Sequence, residues 1–276
     1  MRPSEVARRG AEYLAHHGVD SPRAESEALL QRILGVDRAT LFTRQEGLST
    51  GEAKAYGRAL CRRCTGSPLQ HLTGEQGFRR LVLEVRPGVF VPRPETEILV
   101  EVALASTPQR EPVVVDLCTG AGAVALAIAD ERPGARVYAT DISADAIALA
   151  SDNATRLSLP VTSLAGDLFD PLPHELAGEI DLVVANPPYL GSEGRDELPI
   201  DVRADPPDAL FGDVEGYRRI FDEAARWLRP GGAIAVEIDG SIAADVVAAA
   251  RGAGFDDVRI DRDLNARDRV VSGRRP

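Results

Sequence analysis

Apolar side chains recur at helical spacing through the first 66 or so residues. Pro22 is typical of a first helical turn, apolar residues between positions 29 and 34 then share one face, and Gly35 ends the run. A second helix start is predicted at Ser49, because Glu52 three residues later completes a capping box. The pattern therefore predicts a small helical region at the N-terminus.

The spacing changes to an alternation of two along FRRLVLEV, residues 78–85. Such alternation is typical of a β-strand with one buried face. Pro87 and Gly88 then indicate a turn before the apolar residues 89–91. We therefore predict a β-hairpin over residues 76–92 that joins the helical region to the rest of the chain.

From residue 93 onward, apolar runs typical of strands alternate with amphipathic or apolar runs typical of helices. The helical patterns are AVALAIADE (123–131), ADAIALASDNA (144–154) and a segment that ends in RWLRPGG (226–232). The predicted strands are VVVDL (113–117), RVYATD (136–141), PVTSLAGD (160–167), IDLVVA (180–185), AIAVEI (233–238), DVRI (257–260) and RVVSG (269–273). This alternation predicts an α/β fold with a doubly wound, mostly parallel Rossmann-like sheet of seven strands.

Composition and charge narrow the class of protein. The 276 residues are 44% hydrophobic and 27% charged, which is typical of a globular chain. We expect a cytoplasmic protein without a membrane span, because the sequence has no long apolar run and no signal peptide at its start. The net charge of −11 argues against direct DNA binding. Residues 1–80 nevertheless carry 13 basic against 9 acidic side chains, so this region is positive and the remainder acidic.

The three cysteines do not indicate a disulfide framework or a metal site. Cys61 and Cys64 form a single C-x-x-C at the end of a helical pattern, and Cys118 is distant from both. A zinc site needs a second pair of ligands, and the chain has only four histidines. We therefore interpret the pair as two helical side chains and predict no metal.

The segment DLCTGAGAVA, residues 116–125, follows a predicted strand and opens a predicted helix. Gly120 and Gly122 allow a tight turn and a close approach of the backbone to a ligand. Asp141, at the end of the next strand, can accept hydrogen bonds from ribose hydroxyls. The spacing also satisfies the loose dinucleotide fingerprint, so an NAD-dependent oxidoreductase is an alternative. Asp116 favours S-adenosylmethionine, since its carboxylate can bind the amino group of a methionine moiety, although it could instead cap the turn.

Two further strand ends carry candidate chemistry. Asp167 ends the predicted strand at 160–167 and is a candidate adenine contact, although an aspartate at a strand end is as often part of a turn. Asn186-Pro187-Pro188-Tyr189 directly follows the strand at 180–185, so it should lie beside the glycine-containing segment at the same sheet edge. A proline turn is the alternative for this tetrapeptide.

The NPPY groups fit methyl transfer to an amide nitrogen. That nitrogen is a poor nucleophile because its lone pair is delocalised into the carbonyl. The Asn186 side-chain oxygen and the Pro187 carbonyl can accept both hydrogens of a substrate NH2 and orient its lone pair. Tyr189 can form an aromatic wall beside the planar group. No strong general base is required, since a methylated amide nitrogen loses its proton readily.

The chain resembles the release-factor glutamine N5-methyltransferases (PrmC/HemK). The likeness runs from about residue 68 to the C-terminus and rests on SPLQHLTGEQGF, VPRPETEILVE, DLCTGAG, NPPY and LNARDRVVSGR, and above all on the combination of VPRPETE (91–97) with NPPY (186–189). It implies an S-adenosylmethionine-dependent enzyme that methylates the glutamine of the Gly-Gly-Gln loop in peptide-chain release factors. The implied division is a helical substrate-docking domain (1–75), a hairpin linker (76–92) and a methyltransferase domain (93–276).

The resemblance also implies a set of site residues. The expected cofactor contacts, together with those argued above, are Asp116, Thr119, Gly120, Ala121, Gly122, Asp141, Asp167, Leu168 and Asn186. The expected catalytic residues are Asn186, Pro187, Pro188 and Tyr189. The expected substrate contacts are Arg93, Pro94 and Glu95 at the mouth of the site, with Asn186 and Tyr189.

Some positions depart from the family pattern. Leu168 replaces an aromatic residue often seen beside the adenine, residues 215–217 read Glu-Gly-Tyr instead of Asp-Gly-Leu, and EIDGSI (237–242) lacks the usual glycine and glutamine. These loops bear on substrate identity, so N-methylation of a small-molecule amide or guanidinium is a second hypothesis. Adenine methylation on nucleic acid is disfavoured by the acidic charge. A binding module without catalysis would explain neither motif.

Overall fold

The structure, a computed structural model, describes residues 1–190, 198 and 200–276, without the side chains of residues 200 and 201. The chain divides into two compact units. One comprises Met1–Glu75 and Leu198–Ala204, and the other comprises Gln76–Glu197 and Asp205–Pro276. Within the described ranges, no helix combines the length and the apolar character that a membrane crossing requires.

The first unit is helical. Its helices are α1 (Pro3–His16), α2 (Pro22–Leu34), α3 (Arg38–Thr43), α4 (Thr50–Cys64), α5 (Leu69–Thr73) and α9 (Ile200–Arg203). The predicted boundaries of two helices are confirmed: Gly35 ends α2 in a left-handed conformation, and Ser49 and Glu52 form a capping box at α4. Buried residues from α1 to α4 form its core, including Leu14, Leu30 and Tyr56.

The hairpin that precedes the sheet differs from the prediction. Its strands are β1 (Glu75–Phe78) and β2 (Leu81–Glu84), so the chain reverses at Arg79 and not at Pro87-Gly88. Arg79 adopts a left-handed conformation, and its guanidinium pairs with Glu131. Residues 89–91 form no strand in the structure, and Val89 packs into a buried cluster with Ala121, Ala146 and Leu149.

The predicted doubly wound sheet of seven strands is confirmed. Its strands are β3 (Val113–Leu117), β4 (Arg136–Asp141), β5 (Val161–Ala165), β6 (Ile180–Ala185), β7 (Leu228–Glu237), β8 (Asp256–Arg262) and β9 (Asp268–Arg274). They are ordered β5-β4-β3-β6-β7-β9-β8, and only β9 runs against its neighbours. The winding reverses between β3 and β6, which is where such sheets bind ligands.

The remaining helices cover both faces of the sheet. They are α6 (Glu97–Ser106), α7 (Ala123–Glu131), α8 (Ala144–Leu157), α11 (Val214–Trp227) and α12 (Ala243–Gly252), while the short helix α10 (Pro207–Leu210) precedes α11. Alternate residues of β3 point to opposite faces: Val114 joins a core with α6 and α7, whereas Val113 and Val115 join a core with α11 and α12.

One predicted helix end is wrong. Helix α11 ends at Trp227, and the RPGG of residues 229–232 belongs to β7. Pro230 cannot continue a helix, and Gly231 has a left-handed backbone with φ of +75°. Strand β7 therefore begins before the apolar run AIAVEI (233–238) from which it was predicted.

Candidate active site

The segment from residue 118 to residue 122, here called the glycine loop, connects β3 to α7. Its backbone is left-handed at Cys118, Gly120 and Gly122, with φ of +55°, +57° and +85°. Glycine adopts this conformation at little cost. A Cβ at Gly122 would lie 3.1 Å from the Cβ of Ala150 in α8, so glycine also permits close helix packing. The predicted strand, loop and helix are therefore present in the structure.

Asp116 holds the glycine loop from inside the protein. Its side chain is 1% exposed, and Oδ2 accepts hydrogen bonds from Thr119 Oγ1 at 2.6 Å and from the Ala125 backbone N at 3.1 Å. Burial raises the pKa of this carboxyl to about 7. These contacts match the turn-capping alternative, and a contact with a methionine amino group stays a prediction.

Asp141 joins the loops that follow β3 and β4. Its Oδ2 accepts from the Gly120 backbone N at 2.9 Å, and its Oδ1 accepts from the Ser143 backbone N at 2.9 Å. Burial raises the pKa of Asp141, while these two backbone donors lower it. A carboxylate has about four acceptor positions, so each oxygen retains capacity for a ribose hydroxyl.

Ala121 contributes its backbone to the loop. Its carbonyl accepts from Nδ2 of Asn153 at 3.1 Å, and the same Asn153 amide exchanges hydrogen bonds with the Glu84 backbone at 2.8 and 3.0 Å. Asn153 is fully buried. Asn153 was not predicted as a site residue, although an asparagine on the buried face of a helix pattern is a recognisable signal.

Asp167 and Leu168 follow β5 at the same sheet edge. The Asp167 carboxylate pairs with Arg219 at 2.8 Å, and both side chains are about half exposed. Leu168 has a left-handed backbone with φ of +45°, and its carbonyl accepts from Thr140 Oγ1 at 2.8 Å. Both residues lie near the loop after β4, since the Gly166 backbone N donates to the carbonyl of Asp141 at 2.9 Å.

The segment from residue 186 to residue 190, here called the acceptor loop, follows β6. The pairing of Leu117 with Ala185 in adjacent parallel strands places it beside the glycine loop. Asn186 donates from Nδ2 to Thr96 Oγ1 at 3.3 Å, and this contact turns Oδ1 away from Thr96. The structure thus brings together the two motifs that the sequence predicted to meet.

A second chain segment clamps the far end of the acceptor loop. Leu190 donates to the Leu210 carbonyl at 2.9 Å, and the Gly212 backbone N donates to the Leu190 carbonyl at 3.0 Å. A Cβ at Gly212 would lie 2.1 Å from the carbonyl oxygen of Pro188. Gly212 is therefore required for the close approach of the two backbones, a role that the sequence analysis missed.

Tyr189 is half-buried against the core of α11 and α12. Burial raises the pKa of its phenol above the usual range, and the negative charge of Glu237 adds to the effect. The phenol therefore stays neutral near pH 7. This environment suits an aromatic wall better than an acid–base group.

The VPRPETE segment lies beside the acceptor loop. Arg93 pairs with Asp205, whose side chain is fully buried and whose Oδ1 accepts from the Val91 backbone N at 3.2 Å. Pro94 and Glu95 are exposed. The Arg93 guanidinium thus holds residues 91–93 against the 205 region, and contacts of Arg93, Pro94 and Glu95 with substrate stay predictions.

Thr96 and Glu237 are buried beside Asn186, and neither was predicted to have a role. Thr96 is 3% exposed and Glu237 is 2% exposed, and the Thr96 hydroxyl lowers the pKa of the Glu237 carboxyl, which burial raises. Glu237 had a visible signal, because it is a carboxylate at the end of an otherwise apolar buried strand. The only sequence signal for Thr96 was its position within VPRPETE (91–97), a motif that was assigned to the mouth of the site.

Comparison with protein families and curated sequences places the chain among known methyltransferases. Residues 5–74 match the PrmC N-terminal domain, and residues 82–198 match the methyltransferase small domain. The release factor glutamine methyltransferase of Mycolicibacterium smegmatis is 46% identical over 95% of this chain and 94% of its own length. That of Moorella thermoacetica is 41% identical over 93% of this chain and 92% of its own length.

Solved structures support the fold at lower identity. A ribosomal protein L11 methylase from Lactobacillus delbrueckii subsp. bulgaricus matches with a TM-score of 0.50 and 22% identity, over 69% of this chain and 83% of its own. A T. thermophilus 16S rRNA methyltransferase, in complex with AdoMet and guanosine, matches with a TM-score of 0.54 and 20% identity, over 73% of this chain and 50% of its own.

Proposed function

Because the chain belongs to the release factor glutamine methyltransferase family, we propose that it methylates the side-chain amide nitrogen, N5, of the glutamine in the Gly-Gly-Gln loop of peptide-chain release factors. The methyl donor is S-adenosylmethionine. The observation that carries the proposal is the adjacency of the glycine loop and the acceptor loop where the winding of the sheet reverses.

The residues around the glycine loop fit this cofactor. The left-handed turns at Gly120 and Gly122 expose backbone where a side chain would interfere. Asp141 supplies acceptors for ribose hydroxyls, and Asp116 supplies a buried carboxyl that a positive amino group nearby would favour in its ionised form. Ile142, which directly follows Asp141 and is 75% exposed, offers an apolar surface to a flat base.

S-adenosylmethionine, when bound, supplies an electrophilic methyl group. The chain's own contribution is to orient the acceptor. Asn186 Oδ1 and the Pro187 carbonyl accept the two hydrogens of the substrate amide, so the nitrogen lone pair faces the glycine loop. These acceptors also stabilise the positive charge that develops on the nitrogen. Tyr189, neutral and half-buried, restricts the planar amide from one side.

The helical unit, residues 1–75, is proposed to dock the release factor. Its separate hydrophobic core and the excess of basic residues within positions 1–80 support a surface role distinct from the chemistry. A small-molecule acceptor would not need such a docking surface. Methylation of a release factor that is truncated to its Gly-Gly-Gln domain therefore tests whether the helical unit docks the substrate. Docking by this unit predicts a higher KM for the truncated factor with little change in kcat.

The proposal is tested by methyl transfer from labelled S-adenosylmethionine to a purified bacterial release factor and to its loop Gln→Ala variant. Label on the normal factor and none on the variant is the expected result. Label on both would place the methyl group on another residue. Label on neither, with the cofactor still bound in calorimetry, would overturn the proposed substrate and favour small-molecule amides or guanidines.

A further inference from the structure

A buried polar pair lies directly behind Asn186. Ala185 of β6 pairs with Val236 of β7, so the next residues of the two strands, Asn186 and Glu237, come side by side at the sheet edge. Thr96 lies at the start of α6, the helix that packs against β7. Its hydroxyl accepts from Asn186 Nδ2 at 3.3 Å, and it lies near enough to the Glu237 carboxyl to lower the pKa of that group.

Glu237 is an unusual residue for this position. It is 2% exposed at the end of a strand that is otherwise apolar toward its C-terminus, and its Oε2 has no hydrogen-bond partner within the ranges described. Tyr217 donates from its hydroxyl to the Glu237 backbone carbonyl at 2.8 Å. The nearby Arg269 guanidinium is shared with Asp263, at 3.2 Å, and so is not a dedicated partner. Burial of a carboxyl without a full set of partners costs desolvation free energy, and such groups occur preferentially at functional sites.

The Asn186 amide presents its NH2 group to the Thr96 hydroxyl, and the hydrogen count at Thr96 agrees with this direction. A threonine hydroxyl has one proton to donate. An ionised Glu237 carboxylate can only accept, so a Thr96 hydroxyl that gives its proton to Glu237 keeps only acceptor capacity toward Asn186. This agrees with the observed bond, in which Asn186 presents its NH2 group to Thr96 and turns its Oδ1 away from Thr96.

This orientation matters because the amide of asparagine has two nearly isosteric ends. With the side chain reversed, the Asn186 NH2 would face the substrate NH2, and two donors would oppose each other. The acceptor that aligns the nucleophile would then be lost, although the shape of the site would be almost unchanged.

We propose that Thr96 and Glu237 are positioning residues that hold the Asn186 side chain with its oxygen toward the acceptor amide. The inference rests on the proposed methyl transfer to an amide nitrogen. It predicts that loss of the Thr96 hydroxyl lowers kcat through Asn186 alone, while cofactor affinity is unchanged.

The test compares Thr96→Val, which keeps the branched shape, with Thr96→Ser, which keeps the hydroxyl. Thr107→Val is the matched control, because Thr107 is 3% exposed beyond the other end of α6 and its hydroxyl has no partner within the described ranges. Thr96→Val should lower kcat at least about tenfold with an unchanged Kd for S-adenosylmethionine. Thr96→Ser should recover most of the rate, and Thr107→Val should match the wild type.

A double-mutant cycle separates positioning from a general structural effect. If Thr96 acts through Asn186, adding Thr96→Val to Asn186→Ala should lower kcat by less than about twofold further. Losses that multiply in full would overturn the proposal. So would a Thr96→Ser variant as slow as Thr96→Val.

A second readout does not depend on the acceptor. The side-chain amide of Asn186 can be identified in nitrogen-15 spectra by its absence from Asn186→Ala. Its NH2 protons should exchange with water faster in Thr96→Val than in wild type, and not in Thr107→Val. If no release factor is methylated, the proposed function fails while this measurement still decides the inference. Equal exchange in all three proteins would overturn it.

Discussion

The glycine loop and the acceptor loop lie side by side at one sheet edge, yet they are held in different ways. The glycine loop is held mainly by carboxylates close in sequence: Asp116 is three residues from Thr119, and Asp141 is 21 residues from Gly120. The acceptor loop depends on distant segments, since Thr96 is 90 residues from Asn186. Cofactor binding and acceptor alignment should therefore be separable by mutation.

The largest difference between the effect on turnover and the effect on cofactor affinity is expected for Asn186→Ala. Removal of the oxygen that accepts from the substrate amide should lower turnover by at least about a hundredfold. Calorimetry should find the Kd for S-adenosylmethionine within a few-fold of wild type, because Asp116 and Asp141 are untouched. Unchanged turnover would refute the role of Asn186, and a large loss of cofactor affinity would show that the two loops are not independent.

Gly212→Ala perturbs the acceptor loop through its clamp. The new Cβ would lie 2.1 Å from the Pro188 carbonyl oxygen, so the two backbones must separate. Overpacking of this kind typically costs about 1 to 3 kcal/mol, and we expect turnover to fall about tenfold or more with cofactor affinity retained.

The control for this variant is Gly216→Ala in α11, where an added Cβ meets nothing within 4 Å among the described residues. Thermal unfolding measured beside the kinetics would show whether the effect is local. Equal activity of the two alanine variants would contradict a positioning role for Gly212.

Asp141→Ala is expected to have the opposite effect, with a larger change in cofactor affinity than in turnover. Loss of the carboxylate removes the ribose acceptor and the hydrogen bond to the Gly120 backbone, so S-adenosylmethionine should bind more weakly by about 1 to 3 kcal/mol. Turnover at saturating cofactor should change less than in Asn186→Ala. The exposed Asp145→Ala is a charge-matched control. Calorimetry that finds the affinity of Asp141→Ala unaltered would remove Asp141 from the cofactor site.

The smallest effect is expected in the pH dependence. Burial raises the pKa of Glu237 to about 7, and the negative charge of Glu95 adds to the effect, whereas the Thr96 hydrogen bond and Arg269 oppose it. Tyr189 and Tyr217 also face this carboxyl, but burial keeps both phenols neutral. Glu237 therefore gains its proton as the pH falls through about 7.

Only the ionised carboxylate forces Thr96 to donate toward Glu237, so kcat should fall as the pH is lowered through about 7. Glu237→Gln should be slower than wild type and should lack this acid limb in a profile of kcat between pH 5.5 and 9. Burial also raises the pKa of Asp116 to about 7. An acid limb that persists in Glu237→Gln would therefore be assigned to Asp116, against the prediction.

Local patterns were sufficient for most of the fold. The seven strands, the capping box at Ser49 and the helix end at Gly35 follow from periodicity and from residues next to each other in sequence. The hairpin turn was misplaced because the Pro87-Gly88 signal is strong locally, whereas the actual turn at Arg79 is stabilised by Glu131, 52 residues away. Tertiary contact outweighed the turn residues.

The sequence by itself determined the positions of the glycine loop, Asp141 and the NPPY segment, because glycines, a strand-end carboxylate and prolines have local conformational consequences. Only the tertiary structure decided which groups orient them. Thr96, Glu237 and Gly212 meet the acceptor loop through strand register and close backbone approach. Their roles depend on contacts between segments far apart in the chain, and the physical reason is that a side chain's hydrogen-bond direction is set by its neighbours in space.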